Sequence, residues 1–252
     1  MAERVAQIAS HISDPKGLLA GQTAIITGSG QGIGAEAARL FAQEGAKVVV
    51  CDVDSDMAQS VVNEIVASGG QAIAVSGDIT DRDYISQLVQ RAAQFGGGEI
   101  HIIVNNAGFT WDGVVHKMTD KQWVAMENIH GLHGNIGQSN YAFFKAGVSG
   151  LMKTVAKEWG PAFNVRANTV AFGYIETRLT QAKEIGTFIT GPGGEEIQLG
   201  VPGRNGKSSF EDIPLRRPGS AHDAAKVILA VCSPLFSYVT GQVISVTGGR
   251  NM

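Results

Sequence analysis

From Gln22 onward, short blocks of apolar, largely β-branched residues alternate with longer stretches whose apolar positions recur at helical spacing. The blocks predict strands at Thr23–Ile26, Lys47–Cys51, Ala72–Ser76 and Ile100–Asn105, each bounded by Gly, Asn or Asp. The stretches between them predict helices over Ile33–Glu44, Asp56–Ala67 and Asp81–Phe95, because their apolar residues fall on one face of a helical period. Further along, the same reading gives a helix over Tyr141–Trp159, a strand over Val165–Val170, a helix over Ala221–Val231 and a last strand over Gln242–Val246. Three strand–helix steps in succession predict a doubly wound parallel sheet, the Rossmann form of the α/β class, since right-handed crossovers lay successive helices against the sheet. The rhythm breaks between Leu179 and Phe210, where Gly186, Gly191, Gly193, Gly194, Gly200, Gly203 and Gly206 crowd together. A stretch of this length and composition predicts a mobile excursion over the sheet's edge, an insertion placed to shape a substrate pocket.

Composition narrows the class. The chain has 252 residues, 44% of them hydrophobic, enough for one sizeable core, so residues 1–252 are expected to form a single domain with an N-terminal extension at 1–20 and the insertion at 179–210. A formal net charge of −3 leaves no excess of Lys and Arg for a phosphate backbone, which argues against a nucleic-acid partner. Residues 1–20 mix Glu3, Arg4, His11, Asp14 and Lys16 with short apolar runs, so neither a signal peptide nor a membrane span is expected there. Cys51 and Cys232 fall in apolar runs and read as small buried hydrophobes, which suits a reducing compartment, the cytoplasm in preference to the mitochondrion. No metal ligand set is assigned.

The first candidate chemistry lies where strand Thr23–Ile26 runs into Thr27-Gly28-Ser29-Gly30-Gln31-Gly32-Ile33-Gly34 and then into a helix. A glycine turn there lets backbone and ligand approach closely, and the helix's unpaired N–H groups and positive dipole end favour a pyrophosphate. Asp52 follows the next strand, 18 residues after Gly34, close to the ~20-residue spacing at which an acid accepts hydrogen bonds from an adenosine ribose. An acid there repels a 2′-phosphate, and neither Ser29 nor Gln31 supplies a compensating cation, so NAD is favoured over NADP. Tyr141 and Lys145, four apart on a predicted helix, share a face, and a cation beside a phenol favours the phenolate.

Taken together, Thr27-Gly28 with Gly32 and Gly34, Gly77-Asp78, Asn105-Asn106-Ala107-Gly108 and Tyr141-x-x-x-Lys145 resemble the short-chain dehydrogenase/reductase family. Within it, Gly134-Asn135-Ile136-Gly137-Gln138-Ser139-Asn140-Tyr141, Thr240-Gly241-Gln242 and Val246-Thr247-Gly248-Gly249 look most like the 3-oxoacyl-carrier-protein reductase group. The resemblance runs from Gly21 to Met252 with one break. It implies cofactor contacts from Gly28, Ser29, Gln31, Gly32, Ile33, Gly34 and Asp52, and adenine contacts from Asp78 with Ile79. It also implies a ribose–nicotinamide wall from Asn106, Ala107 and Gly108, a carboxamide site at Ile175 and Thr177, and a catalytic pair in Tyr141 and Lys145. The Pro-Gly that usually precedes the Ile175 turn is Phe172-Gly173 here. A homo-oligomer, most often a tetramer, is implied as well.

The break falls between Asn106 and Gln138, a span of 33 residues. It supports one short helix, Thr119–Glu127 with Thr119 as N-cap, and no strand. In the family that interval holds a long helix, a central strand and the catalytic serine, whose position, 13 before Tyr141, is Asn128 here. A deletion that joins Trp123–Met126 onto Ile129 is therefore expected, with one central helix–strand unit missing and the serine segment lost. Asn128 and His130 are imaginable substitute donors, though each reads first as a loop residue, as does His133. The expected function is an NAD(P)-dependent oxidoreductase that interconverts a carbonyl and a secondary alcohol on a small-molecule or acyl-thioester substrate, with 3-oxoacyl thioester reduction foremost and activity impaired. A catalytically silent dinucleotide-binding protein, or the product of a mis-spliced gene model, stays open as the alternative. Lys207, Arg216 and Arg217 read as a solvated basic loop before they read as a carrier-protein contact.

Overall fold

The computed structural model describes residues 17–108, 139–181, 186, 188–190, 196–200 and 210–250. The Thr119–Glu127 helix, Asn128, His130, His133, Lys207 and most of the N-terminal extension lie outside the described residues. The described chain forms two compact units, one running to Ala107 and taking in His222–Ser237, the other made from Gly108–Ala221 and Tyr238–Met252.

The first unit is a four-stranded parallel sheet in the order β3-β2-β1-β4, built from β1 (Thr23–Thr27), β2 (Lys47–Cys51), β3 (Gln71–Ala74) and β4 (Ile102–Val104). All five residues of β1 are buried, the mark of a central parallel strand covered on both faces. Helix α1 (Gly32–Gln43) presents Gly34, Ala35, Ala37, Ala38, Phe41 and Ala42 to the interior, so small side chains let it lie close and Phe41 fills the remaining space. Helices α2 (Ser55–Ala67) and α3 (Arg82–Gly96) begin at Asp54 and Asp81, whose carboxylates accept hydrogen bonds from first-turn N–H groups. One face of the sheet packs into a cluster of Ile25, Val49, Cys51, Val75, Tyr84, Leu88 and Ala92. Helix α5 (Ala221–Cys232) completes the unit, and His222 at its start meets Glu36 of α1 at 2.8 Å. Among the described residues no strand pairs with the outer edge of β4, and Ile103 on that strand is 58% exposed.

The second unit holds the long helix α4 (Ser139–Phe163), a parallel pair β5 (Thr169–Phe172) with β8 (Val243–Val246), and an antiparallel pair β6 (Phe188–Thr190) with β7 (Glu196–Gln198). Two expectations change here. The strand expected at Val165–Val170 begins only at Thr169, because the preceding residues are spent otherwise: Asn164 takes a left-handed conformation (φ 56°), Ala167 donates to Thr240 Oγ1 at 3.1 Å, and the Asn168 amide donates to Val239 O at 2.9 Å. The stretch expected as a loop from Leu179 to Phe210 contains the β6–β7 pair, and Ile197 and Leu199 keep only 4% and 1% of their surface exposed. Alternating burial along Glu196-Ile197-Gln198-Leu199 is a strand period, outweighed in the sequence by the glycines around it.

Candidate functional site

At the end of β1 the chain turns through Gly28 and Gly32, with φ of 63° and 60°, in the left-handed region that side chains disfavour. At Gly28 space as well as conformation demands glycine. A Cβ on Gly28 would lie 2.6 Å from Ala107 Cα, and one on Gly34 would fall on Gly28 O and Asn106 Nδ2 and 2.9 Å from Ser29 Cα. The turn is tied to the end of β4 by residues 78 to 80 apart in sequence: Thr27 Oγ1 accepts from the N–H groups of Asn106 and Ala107, both at 3.0 Å, and Asn106 Nδ2 donates to Thr27 O at 2.9 Å and Gly28 O at 3.0 Å. Asn106 is thereby a clamp on the glycine turn, and its amide nitrogen is committed to that task. Ser29 is committed too, since its hydroxyl donates to Ile26 O at 2.6 Å and its N–H to Cys51 O at 2.9 Å.

Helix α1 differs from its neighbours at its N-terminus. Gln31, the residue before it, is extended and makes no side-chain cap, and no acid stands in the first turn, whereas α2 and α3 each have an Asp cap and an acid, Asp56 or Asp83. A helix start with no capping side chain and no acid in its first turn among the described residues, beneath a turn where Gly28 and Gly34 leave no room for a Cβ, fits the pyrophosphate of a dinucleotide.

Asp52 lies beside this turn. Its Oδ2 accepts from Gly30 N at 2.9 Å and its Oδ1 from Asp54 N at 3.2 Å, and a Cβ on Gly30 would crowd the carboxylate at 2.9 Å. Asp54 and Asp56 follow, and no Lys or Arg occurs in Gly28–Gly34 or Asp52–Met57. One strand over, Gly77 N donates to Asp52 O at 3.0 Å, and the exposed Asp78 accepts at Oδ1 from both Thr80 N and Thr80 Oγ1 at 2.8 Å. Ile79 is half-buried against the core cluster, Gln31 and Ile33 are half-buried, and Gly108 is exposed. Cys51, at the end of β2, is fully buried, and burial pushes its thiol up to about 12, so it is the inert hydrophobe its surroundings suggest; Cys232 is half-buried.

In the second unit, Tyr141 and Lys145 both belong to α4, one turn apart. Lys145 is half-buried, and burial lowers its ammonium to about 7. Ile175 is buried and bridges to Gly219, while Thr177 N donates to Thr180 Oγ1 at 2.9 Å and that hydroxyl donates to Ile175 O at 2.6 Å. The Phe172-Gly173 step is held without proline: Gly173 N donates to Val246 O at 2.9 Å, and a Cβ on Gly173 would sit 2.8 Å from Thr247 Cα. Thr27, which anchors Asn106 and Ala107, and Asp54, whose N–H meets Asp52, are residues that sequence reasoning did not assign to the site. Thr27 left the signal of a polar residue ending an apolar strand.

Among the described residues no helix is long and apolar enough to cross a membrane. The family model described as short chain dehydrogenase matches residues 22–130, and that described as enoyl-(acyl carrier protein) reductase matches 123–251. The 3-oxoacyl-(acyl-carrier-protein) reductase of Thermotoga maritima is 34% identical over 92% of this chain and 98% of its own, in an alignment of 261 positions although 92% of this chain is only about 232 residues. A hydroxysteroid dehydrogenase structure from Escherichia coli is 33% identical with a TM-score of 0.74, covering 92% of this chain and 97% of that one. A 7α-hydroxysteroid dehydrogenase, solved with NADH and 7-oxo glycochenodeoxycholic acid, gives the same identity and TM-score over 92% and 95% of the two chains.

Proposed function

Because the chain belongs to the short-chain dehydrogenase/reductase family, oxidoreductases whose Rossmann fold binds a nicotinamide dinucleotide, we propose that it is an NAD-dependent interconverter of a carbonyl and a secondary alcohol, acting on a 3-oxoacyl thioester. The carrier of the NAD reading is Asp52, held beside the glycine turn by Gly30 N, with Asp54 and Asp56 behind it and no cation in either segment. A 2′-phosphate in that field is repelled, whereas ribose hydroxyls find an acceptor. The thioester substrate is supported by the Thermotoga relative and the NADH preference by the hydroxysteroid dehydrogenase solved with that cofactor.

Bound NADH would supply the hydride. Tyr141 would give its phenolic proton to the substrate oxygen, and Lys145, one turn along α4, would hold the ribose and, when charged, favour the phenolate left behind. The remaining assignments are read in the same way: Gly28, Gly32, Gly34 and the N-terminus of α1 on the pyrophosphate, Asp78 on adenine, Ile175 and Thr177 on the carboxamide. Ser29 contributes shape, its donors being used within the protein. A central helix–strand unit is read as missing, supported by the 33-residue span from Asn106 to Gln138, by the sheet ending at β4 among the described residues, and by the excess of aligned positions over residues of this chain. Association into a homo-oligomer is supported by Phe143, Leu151, Trp159 and Phe163, which recur along α4 at multiples of four residues and are each at least half exposed. A cytoplasmic setting accords with Cys51 and Cys232 standing outside any disulfide.

Fluorescence titration tests the cofactor reading. NADH is expected to bind at least about tenfold more tightly than NADPH, the factor that roughly 1.4 kcal/mol of charge repulsion produces, and Asp52→Asn should narrow the gap. Equal affinities for the two cofactors in the unaltered protein would overturn it.

A further inference from the structure

Tyr84 is the one large polar side chain in the apolar cluster beneath the sheet, and its ring occupies the space that a side chain at Gly77 would need. A Cβ on Gly77 would lie 2.8 Å from Tyr84 Cγ and nearer still to Cδ2 and Cε2. The Tyr84 hydroxyl donates to Val75 O at 2.6 Å, which holds the residue just after β3 from below. From the other side, Val75 N donates to Val50 O at 2.9 Å and Gly77 N to Asp52 O at 3.0 Å, so the strand that carries Asp52 and the turn that carries Asp78 are laced together at this point. Asp78 follows Gly77 directly and is fixed in turn by Thr80. Burial also drives the Tyr84 phenol above its ordinary range, which keeps the hydroxyl a donor at any working pH.

We propose that Tyr84 is a positioning residue for the adenosine half of the cofactor site: its ring in the Gly77 slot and its hydroxyl on Val75 O set the spacing of Asp52 and Asp78. The inference rests on the dinucleotide reading above and adds a residue to it that touches no cofactor. A bare glycine at 77 and a tyrosine at 84 are one device, since the ring can rise against the backbone only where no Cβ stands. The apolar residues around Tyr84 would pack equally well against a phenylalanine, so the hydroxyl's role is separable from core filling.

The test uses the full chain, with AMP and NADH as probes and a stability-matched control. Loss of one buried hydrogen bond predicts that Tyr84→Phe weakens AMP and NADH by about five- to tenfold, with Gly77→Ala weakening both by displacing the ring from above. Leu88→Ala, in the same cluster but away from the turn, supplies a protein of comparably reduced melting temperature, and at a temperature well below melting it should bind AMP within twofold of the unaltered chain. Should Tyr84→Phe bind AMP as the unaltered protein does, or Leu88→Ala lose as much affinity, Tyr84 is a packing residue and the proposal falls while the cofactor reading stands. Failure of the unaltered chain to bind either NADH or AMP overturns the cofactor reading itself, and this one with it.

Discussion

At Gly34 three neighbours leave no room for a side chain: Gly28 O, Asn106 Nδ2 and Ser29 Cα. Gly34→Ala therefore has to push the glycine turn off its clamp, and overpacking of this kind costs about 1–3 kcal/mol. Thermal melting should show that loss, and NADH binding should fall below detection, since the displaced backbone is what approaches the pyrophosphate. Lys145 offers a residue-scale test in pH. Its folded value near 7 lies below the ordinary 10.5, so between those values the unfolded chain holds a proton that the folded one has released. The contribution of Lys145 to stability must then rise with pH from about 7 to about 10.5 and level off above, and it is lowest below 7, where a half-buried ammonium has to be carried. The difference in stability between the unaltered protein and Lys145→Met, followed across that range without cofactor, should show this rise; a flat difference would refute it.

Beside α2 and α3, α1 is set apart by what its N-terminus lacks. Asp54 and Asp81 close the starts of α2 and α3 with carboxylates, and a similar acid at α1 would occupy the place that a phosphate needs. The β6–β7 pair makes a different point. Glycine density predicted a mobile excursion, yet Ile197 and Leu199 are anchored in the interior of their unit. Leu199→Ala should consequently cost about 2–5 kcal/mol, the range for truncating a buried leucine, and chemical denaturation would reveal it; a loss under about 0.5 kcal/mol would mean that the strand pair carries no weight in the fold.

For the whole molecule, the question is whether a family member can work without the central unit that we propose is missing. A serine that would give the substrate oxygen its second hydrogen bond has no counterpart 13 residues before Tyr141, where Asn128 stands. Losing one such donor typically costs about 10²–10³ in rate, so NADH oxidation with a 3-oxoacyl thioester should run far below ordinary enzyme turnover, and Tyr141→Phe should abolish the remainder. Turnover on the order of 1 to 10³ s⁻¹ that disappears in Tyr141→Phe would show that another residue does the serine's work. We read the entire chain as one domain, so heating should give a single transition that NADH moves upward. Two transitions, of which NADH moves only one, would show that the two units fold apart.

The local part of this protein was determined by its sequence alone. Periodicity placed β2 to the residue and α1, α2, α3 and α5 to within a residue or two at each end, because period and capping depend on neighbours a turn away. The glycine turn, Asp52 and the Tyr141–Lys145 pair were legible for the same reason, each being a pattern within one strand–turn–helix step. Tertiary structure alone decided what each polar group does. Ser29, expected to meet a cofactor, turns inward to Ile26 and Cys51; Asn106 reaches back 79 residues to close on Thr27; Tyr84 rises into the slot at Gly77; and Leu199 finds an interior that glycines on both sides concealed. None of these could be read along the chain, since a side chain's hydrogen bonds and neighbours are fixed by which distant backbone the folded sheet brings beside it, and that choice is made by packing the core as a whole.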